Sequence, residues 1–272
     1  MMGPMTTIVF CHAHPDDEAS LSSGSMARAA AQGDRVVLVF ATDGEHGEVP
    51  EDLRPGETLA TRRRREASAS ADVLGVARLA WLGYRDSGMR GWAQNEHEQA
   101  FVAAPLDEAA ARLANILDEE RADVLVGYDW HGGYGHPDHV QVHRVAHRAA
   151  QLAQRRPVLL EVTMNRDAMR RMAQSARDAG VPDFDPDAPM DDGNPLGTPE
   201  AELSWEVDVA AYVDRKRAAL ACHASQVTDI GGFLAVPAEQ FAAAFGREYY
   251  VQVGVAPGMR RGWPFGAASA GG

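Results

Sequence analysis

The feature that most constrains the fold is an apolar segment near the N-terminus that ends abruptly in imidazoles and carboxylates. Residues 6–18 read Thr-Thr-Ile-Val-Phe-Cys-His-Ala-His-Pro-Asp-Asp-Glu, and a segment rich in small residues follows. This pattern predicts a buried strand, a polar turn and a helix. Pro15 disfavours helical geometry at His14 and so keeps that imidazole in the turn. Either Asp16 or Asp17 can cap the helix that follows.

Further apolar segments alternate with segments of helical spacing. Residues 35–41 are almost uniformly apolar, as expected for a strand that helices cover on both faces. Residues 106–121 repeat apolar side chains at helical spacing and predict an amphipathic helix. The alternation predicts an α/β fold with a Rossmann-like, open, mostly parallel sheet and helices on both faces. Further strands are predicted at 78–82, 123–127, 158–163, 204–209 and 248–255, and further helices at 19–32, 57–74, 166–179, 211–223 and 238–245.

The spacing of the motifs favours a single domain over residues 1–256. An irregular acidic segment at about 178–203 interrupts it, with eight acidic residues and no Lys or Arg from Asp178 to Glu202. This segment is either a mobile cover over the mouth of a cleft or a solvated linker. The Gly-rich residues 257–272 are predicted to form a loose tail.

A second polar turn follows the predicted strand at 123–127. Residues 128–139 read Tyr-Asp-Trp-His-Gly-Gly-Tyr-Gly-His-Pro-Asp-His. Ligands bind beyond the carboxyl ends of strands in an open parallel sheet, so the two polar turns are expected to flank one cleft. His14, Asp17 and His139 then make a His, Asp, His set that is typical of catalytic zinc, with one position open for water. Asp16 is the carboxylate left free to act as a base.

The helix that follows His139 offers an alternative pair of ligands. His143 and His147 are four residues apart and would share one face of that helix. However, no Glu follows His139 as in the His-Glu-x-x-His helix, and the first turn already supplies a carboxylate. We therefore predict that the catalytic metal is not held by this pair.

The two motifs resemble those of the PIG-L or LmbE-like zinc deacetylases, which remove acetyl from N-acetylglucosaminyl groups. Residues 13–18 and 136–139 match that family in residue and order, and matches at 42–45, 63–66, 82–89 and 216–226 extend the resemblance over most of the chain. Segments 84–89 and 132–139 look most like the mycothiol-biosynthesis deacetylase, with the mycothiol-conjugate amidase close behind. Trp130-His131 is a departure, because those enzymes usually carry Pro-Asn or Glu-Asn there.

The resemblance implies a mechanism and a set of substrate contacts. Zinc, or alternatively ferrous iron, would activate a water whose proton Asp16 takes. A protonated His136, held by Asp138, would stabilise the oxyanion, and Tyr134 would add a hydrogen bond. By resemblance, the substrate-binding residues are Arg63, Asp86 and His223.

Composition excludes several other classes of protein. A formal net charge of −13 opposes binding to nucleic acid, which depends on Lys and Arg contacts to phosphate. The N-terminus does not resemble a signal peptide, and no apolar stretch approaches 18 uncharged residues, so no membrane association is expected. Two cysteines imply no disulfide framework and fit a reducing cytosol. The expected location is the cytoplasm, and homo-oligomer formation is left open.

The leading hypothesis is a metal-dependent hydrolase that deacetylates a GlcNAc-inositol-like conjugate, a small amino-sugar substrate. One alternative is an amidase that cleaves a larger amide, such as a mycothiol S-conjugate. Another is a non-catalytic sugar- or metal-binding module. The presence of both Asp16 and His136 argues against the last, since a binding module needs neither a base nor an oxyanion donor.

Overall fold

The computed structural model describes residues 5–178 and 185–266, which contain one eight-stranded sheet. Apolar runs form its centre, and the side chains of β1 and β4 are buried throughout. The strands are β1 (Thr7–His12), β2 (Arg35–Thr42), β3 (Arg78–Tyr84), β4 (Val124–Tyr128), β5 (Val158–Thr163), β6 (Trp205–Asp208), β7 (Arg247–Gln252) and β8 (Arg260–Arg261).

The strand order is β3-β2-β1-β4-β5-β7-β6-β8. The first five strands of this order pair in parallel, with Ile8 opposite Val36 on one side and opposite Val124 on the other. β7 is antiparallel to both β5 and β6. The predicted open, mostly parallel sheet is therefore confirmed, with an antiparallel strand inserted near one edge.

The described helices connect successive strands. They are α1 (Asp17–Leu21), α2 (Ser23–Ala31), α3 (Leu59–Leu74), α4 (Leu106–Glu120), α5 (Pro137–Leu152), α6 (Arg166–Asp178), α7 (Val213–Cys222), α8 (Val227–Ala235) and α9 (Ala238–Phe245). Pro137 occupies the first position of α5, where a missing N–H costs nothing, and so fixes the start of that helix. None of these helices has the length and apolar character needed to cross a membrane.

The single helix predicted at 19–32 is two helices in the structure. The chain breaks at Ser22, whose hydroxyl lies 2.8 Å from Nε2 of the buried His12. The carboxylate of Glu248 accepts from the backbone N–H groups of Gly24 and Ser25 at 2.8 Å and so caps α2. This capping residue comes from β7, far away in sequence, which explains why the local pattern predicts one continuous helix.

The chain also differs from the predicted loose tail at 257–272. The described part, up to Gly266, contains β8, which pairs with β6, and the fully buried Phe265. Residues 267–272 lie outside the described residues. Because Phe265 contributes to the core, we propose that the domain extends at least to Gly266.

Candidate metal centre

The turns after four parallel strands meet at one edge of the sheet. β1 pairs in parallel with β2 on one side and with β4 on the other. From β1 the chain continues to β2 and β3, whereas β4 leads to β5 on the opposite side. The carboxyl ends of β1 and β4 therefore form a topological switch point, where open α/β sheets have their binding crevice.

Asp17 lies between two imidazoles at this switch point. Its Oδ2 is 3.4 Å from Nδ1 of His14, and its Oδ1 is 3.2 Å from Nε2 of His139. Burial works to raise the pKa of Asp17, but His139 and His14 in their protonated forms outweigh it and hold that pKa well below its usual value in the absence of a metal. Asp17 is thus an ionised carboxylate, with a side chain that is 12% exposed. The side chain does not cap α1, since Oδ2 accepts from the backbone N–H of His14 at 2.8 Å.

The Nε2 atom of His139 faces the carboxylate of Asp17. Its Nδ1 is 3.0 Å from the carbonyl oxygen of Gly132, which places the ring proton on Nδ1. Nε2 then carries a lone pair, and this buried atom has no hydrogen-bond partner among the described residues. A lone pair and a carboxylate oxygen therefore face each other at 3.2 Å. This arrangement fits a divalent cation, which both atoms can bind.

His14 is surrounded by carboxylates. Its Nε2 lies 3.1 Å from Oδ2 of Asp138 and 3.6 Å from Oδ1 of Asp86. Burial works to lower the pKa of His14. Asp86, Asp138 and Asp17 outweigh it and raise that pKa well above its usual value. When Nε2 donates to Asp138, Nδ1 is left to bind a metal beside Asp17.

The candidate base, Asp16, has a strained backbone. Its φ of 117° lies in a region that L-residues rarely adopt, and such strain is retained chiefly at functional sites. The N–H of Asp16 donates to Oε2 of Glu18 at 2.9 Å, and its carboxylate accepts from Nη2 of Arg63 at 2.8 Å. Burial raises the pKa of Asp16 to about 6, against the lowering effect of Arg63. Like Asp17, it makes no side-chain cap for α1.

Known proteins are similar to this chain over most of its length. Residues 9–150 match the family model described as PIG-L, GlcNAc-PI de-N-acetylase. The chain is 40% identical over 258 residues to the 1D-myo-inositol 2-acetamido-2-deoxy-alpha-D-glucopyranoside deacetylase of Acidothermus cellulolyticus, covering 90% of this chain and 88% of that protein. The chain belongs to the PIG-L family. This confirms the predicted family and makes the protein an N-deacetylase.

A second relative agrees with this placement, and a solved structure has a similar fold. The enzyme of the same description from Geodermatophilus obscurus is 38% identical over 286 residues, covering 96% of this chain and 97% of that protein. The solved structure of N,N'-diacetylchitobiose deacetylase from Pyrococcus horikoshii superposes with a TM-score of 0.60 at 22% identity, covering 92% of this chain and 84% of that one. The second comparison shows a shared fold.

His136 of this PIG-L protein differs from its predicted state. The backbone N–H of Asp138 donates to Nδ1 of His136 at 3.1 Å, so that nitrogen is unprotonated. Burial lowers the pKa of His136 to about 2, and the nearby imidazoles of His14 and His139 add to the effect. His136 is therefore neutral with its N–H on Nε2, instead of a protonated ring. Its ring centroid is 4.6 Å from that of His14.

The carboxylate of Asp138 also has partners other than the predicted one. It accepts from Nε2 of His14 and from the backbone N–H of Ser87 at 2.9 Å, and the Ser87 hydroxyl bonds it as well. Asp138 thus orients a candidate metal ligand and does not hold His136 through its carboxylate. Ser87 was not among the predicted site residues, although it lies within the matched segment 82–89.

The guanidinium of Arg63 donates to oxygen atoms of the protein and does not face the open cleft. This position differs from its predicted role as a substrate contact. It is 3% exposed. Its Nη1 donates to the carbonyl oxygen of Gly44 at 2.8 Å, and its Nη2 donates to Asp16 and to the carbonyl oxygen of Pro15. Arg63 therefore joins α3 to the loops after β1 and β2. Its structural position is that of a support for Asp16.

His223 is likewise buried, which contradicts its predicted role as a substrate contact. It is 0% exposed, and its Nε2 lies 2.7 Å from Oε1 of Glu18. The same oxygen accepts from the hydroxyl of Ser70 at 2.6 Å, while the other oxygen of Glu18 accepts from the N–H of Asp16. His223 thus supports the turn at Asp16 through Glu18.

Asp86 and Tyr134 remain next to the candidate metal ligands. Asp86 accepts from the backbone N–H of Gly88 at 2.8 Å and of His46 at 3.1 Å, and it lies beside His14. Burial works to raise the pKa of Asp86, but His14 outweighs it and lowers that pKa. The half-buried ring of Tyr134 crosses that of His139 at 75°, with the centroids 4.9 Å apart.

The described part of the acidic segment packs on the second polar turn. Oδ2 of Asp192 is 3.4 Å from Nδ1 of the buried His131, and the N–H of Gly197 donates to the carbonyl oxygen of Gly133 at 2.7 Å. Residues 179–184 of the predicted segment lie outside the described residues. Where it is described, the segment is a structural neighbour of the site and not a plain solvated linker.

Proposed function

We propose that this chain removes the acetyl group from a GlcNAc-inositol conjugate, releasing acetate and the free amine. Two relatives at 38% and 40% identity support the proposal, since both are deacetylases of 1D-myo-inositol 2-acetamido-2-deoxy-alpha-D-glucopyranoside and align over nearly the whole chain. A single observation carries the chemistry. The buried Nε2 of His139 has no hydrogen-bond partner among the described residues and faces the carboxylate of Asp17.

The proposed metal is zinc, held by His14, Asp17 and His139. Two imidazoles and one carboxylate with an open position are a catalytic zinc ligand set, and ferrous iron is the alternative for the same donors. When bound, zinc would polarise the acetamide carbonyl and lower the pKa of a water toward about 7. The hydrogen bonds from His14 to Asp138 and from His139 to Gly132 would fix both rings in the ligating orientation.

Asp16 is the proposed base. Its side chain is 20% exposed, which leaves it reachable from the cleft, and Arg63 holds its carboxylate in place. A pKa of about 6 makes Asp16 ionised near neutrality yet basic enough to take a proton from water. After water adds to the acetamide carbon, the same carboxyl can return that proton to the amine as the C–N bond breaks.

His136 is the proposed donor to the acetamide oxygen as negative charge develops there. The backbone N–H of Asp138 donates to Nδ1 of His136, so the N–H of the neutral His136 ring lies on Nε2. A neutral imidazole can stabilise an oxyanion by hydrogen bonding. Tyr134, whose ring packs on His139, is the proposed second donor. Asp86 is the proposed acceptor for a sugar hydroxyl.

The test compares three substrates with the metal-stripped protein reloaded with zinc or with ferrous iron. Free GlcNAc, GlcNAc-inositol and a mycothiol S-conjugate are assayed side by side for release of amine. We expect the highest kcat/KM with GlcNAc-inositol. Rapid cleavage of the mycothiol conjugate with inert GlcNAc compounds would establish the amidase instead, and no turnover with any substrate and metal would contradict the proposed function.

A further inference from the structure

Three metal-binding side chains outside the catalytic cluster converge where α5 packs beside β5. His143 and His147 lie on successive turns of α5, and their ring centroids are 4.4 Å apart. Glu161 of β5 supplies a carboxylate, and one ligand atom from each of the three side chains lies within 4.8 Å of the others. We propose that His143, His147 and Glu161 form a second site for a divalent transition metal of the zinc class.

The distances require little movement to admit a metal. Oε1 of Glu161 is 2.7 Å from Nε2 of His147 and 3.1 Å from Nδ1 of His143. Zinc bonds of roughly 2.0 to 2.2 Å in a tetrahedral site place ligand atoms about 3.3 Å apart. The two distances from Oε1 of Glu161 therefore fall short of that spacing by only about 0.2 and 0.6 Å.

The site is open to solvent on one side. The exposed fraction of the side chain is 33% for His147 and 19% for His143, but only 11% for Glu161. A metal can therefore enter without unfolding, and water can complete its coordination. Burial works to raise the pKa of Glu161, but hydrogen bonds from the two imidazoles outweigh it and keep that pKa below its usual value, so the ligand is a carboxylate.

The donor atoms select the class of metal. Imidazole suits zinc, copper, iron and nickel, whereas magnesium and calcium prefer oxygen ligands. Arg144 follows His143, where a His-Glu-x-x-His helix has its catalytic Glu, so this ligand set has no adjacent base. The expected role is to fix α5, which also carries His139, against β5.

This second site should bind more weakly than the catalytic one. Nδ1 of His143 also lies 3.1 Å from the carbonyl oxygen of Tyr128, so a metal at that nitrogen replaces an existing hydrogen bond. The pairing of both imidazoles with Glu161 must be replaced as well. By contrast, Nε2 of His139 has no such bond to lose among the described residues.

The test counts zinc without substrate, so its outcome is independent of the proposed function. Metal-stripped protein is titrated with zinc by calorimetry, and we expect one tight and one weaker equivalent. His147→Ala and Glu161→Gln should each lose the weaker equivalent and keep the tight one. His97→Ala, which changes an exposed histidine outside both clusters, should keep both.

A second measurement covers the case of a poorly folded variant. In Asp17→Ala, which lacks the tight site, added zinc should still raise Tm, and the additional change His147→Ala should abolish that rise. Binding of only one zinc by the wild type would overturn the inference. Loss of the weaker zinc in Asp86→Asn but not in His147→Ala would also overturn it, by placing the second ion in the cleft.

Discussion

Asp16 and Asp17 are adjacent in sequence but have opposite environments. Burial raises the pKa of Asp16 to about 6, whereas His139 and His14 overcome the same effect at Asp17 and lower its pKa. Neighbouring acids with divergent pKa values commonly divide the work of a site between them. We infer that Asp17 binds the metal and Asp16 moves the proton.

The first prediction concerns this division between the two acids. Asp16→Asn should retain the metal but lose roughly 10² to 10⁴ in deacetylation rate, because it removes only the base. Asn keeps the shape of the side chain and tolerates a positive φ better than Ala. The matched change, Asp17→Asn, should lose metal because one of three ligands is weakened.

Metal content by elemental analysis and turnover under saturating zinc check both variants. If Asp16→Asn lost its metal while Asp17→Asn kept metal and turnover, the two roles would be exchanged.

The second prediction distinguishes positioning of the base from binding of sugar. Arg63 bonds Asp16, Pro15 and Gly44, so Arg63→Ala should lower kcat by displacing the base. Asp86→Ala should mainly raise KM, because a hydroxyl contact is made in the ground state and transition state alike. Steady-state kinetics on GlcNAc-inositol distinguishes the two variants. A raised KM with unchanged kcat in Arg63→Ala would instead support the role of Arg63 as a substrate contact.

At the scale of elements, one carboxylate joins two strands to a helix. Glu120, at the end of α4, pairs with Arg35 of β2 at 2.6 Å and with Arg78 of β3 at 2.9 Å. Hydrogen bonds from Arg35 chiefly, and from Arg78, lower the pKa of Glu120. The carboxylate is 8% exposed, whereas its Arg partners are exposed by more than a third, so solvent weakens the interaction.

The third prediction concerns the pH dependence of this contact. Glu120→Gln should lower the free energy of unfolding at pH 7 by on the order of 1 kcal/mol. Because the pKa is lowered on folding, the stabilisation is present above the ordinary Glu value of about 4.3 and is lost as the pH falls through the folded value. Wild type and variant should therefore converge in acid, once the pH lies below the folded pKa of Glu120.

Urea unfolding at pH 7 and over a series of lower pH values measures the difference. Glu119→Gln is the matched control, since Glu119 is 59% exposed and contacts only Arg78 among the ion pairs of the described residues. If Glu120→Gln were less stable than the wild type by the same free energy at low pH, the ionised carboxylate of Glu120 would not be the cause of the difference.

At the scale of the whole molecule, the last described residues complete the core under the first strand. The ring of Phe265 lies 5.9 Å from that of Phe10 in β1 and 5.3 Å from that of Tyr250 in β7. All three side chains are fully buried. The segment after β7 therefore ties the antiparallel part of the sheet to the strand that leads into the metal centre.

The fourth prediction tests that role of the segment. Phe265→Ala should destabilise the protein by about 3 to 5 kcal/mol, because it removes a large buried ring and leaves a cavity. Val255→Ala, at a 38% exposed position of the same region, should change stability by less than about 0.5 kcal/mol. Thermal unfolding compares them, and equal Tm values would show that residues after 256 form the loose tail predicted from sequence.

The sequence by itself determined the sheet and the types of residue at its edge. Apolar runs gave β2 and β5 almost to the residue, since strand formation there depends on a local pattern of burial. The motifs likewise indicated which turns carry imidazoles and carboxylates, because the order of strands and turns is encoded along the chain. The break between α1 and α2 was missed, as was strand β8, because the groups that stabilise them, Glu248 and β6, lie outside the local sequence.

Only the tertiary structure decided which atoms of these side chains meet. The carboxylate of Asp138 bonds His14, 124 residues away, and only the backbone N–H of Asp138 bonds His136, two residues away. Arg63 turned out to contact Asp16, and Glu161 to join His143 and His147. The reason is physical: a hydrogen bond or a pKa depends on distance, orientation and burial, and these are fixed only when distant strands pair and bring their turns together.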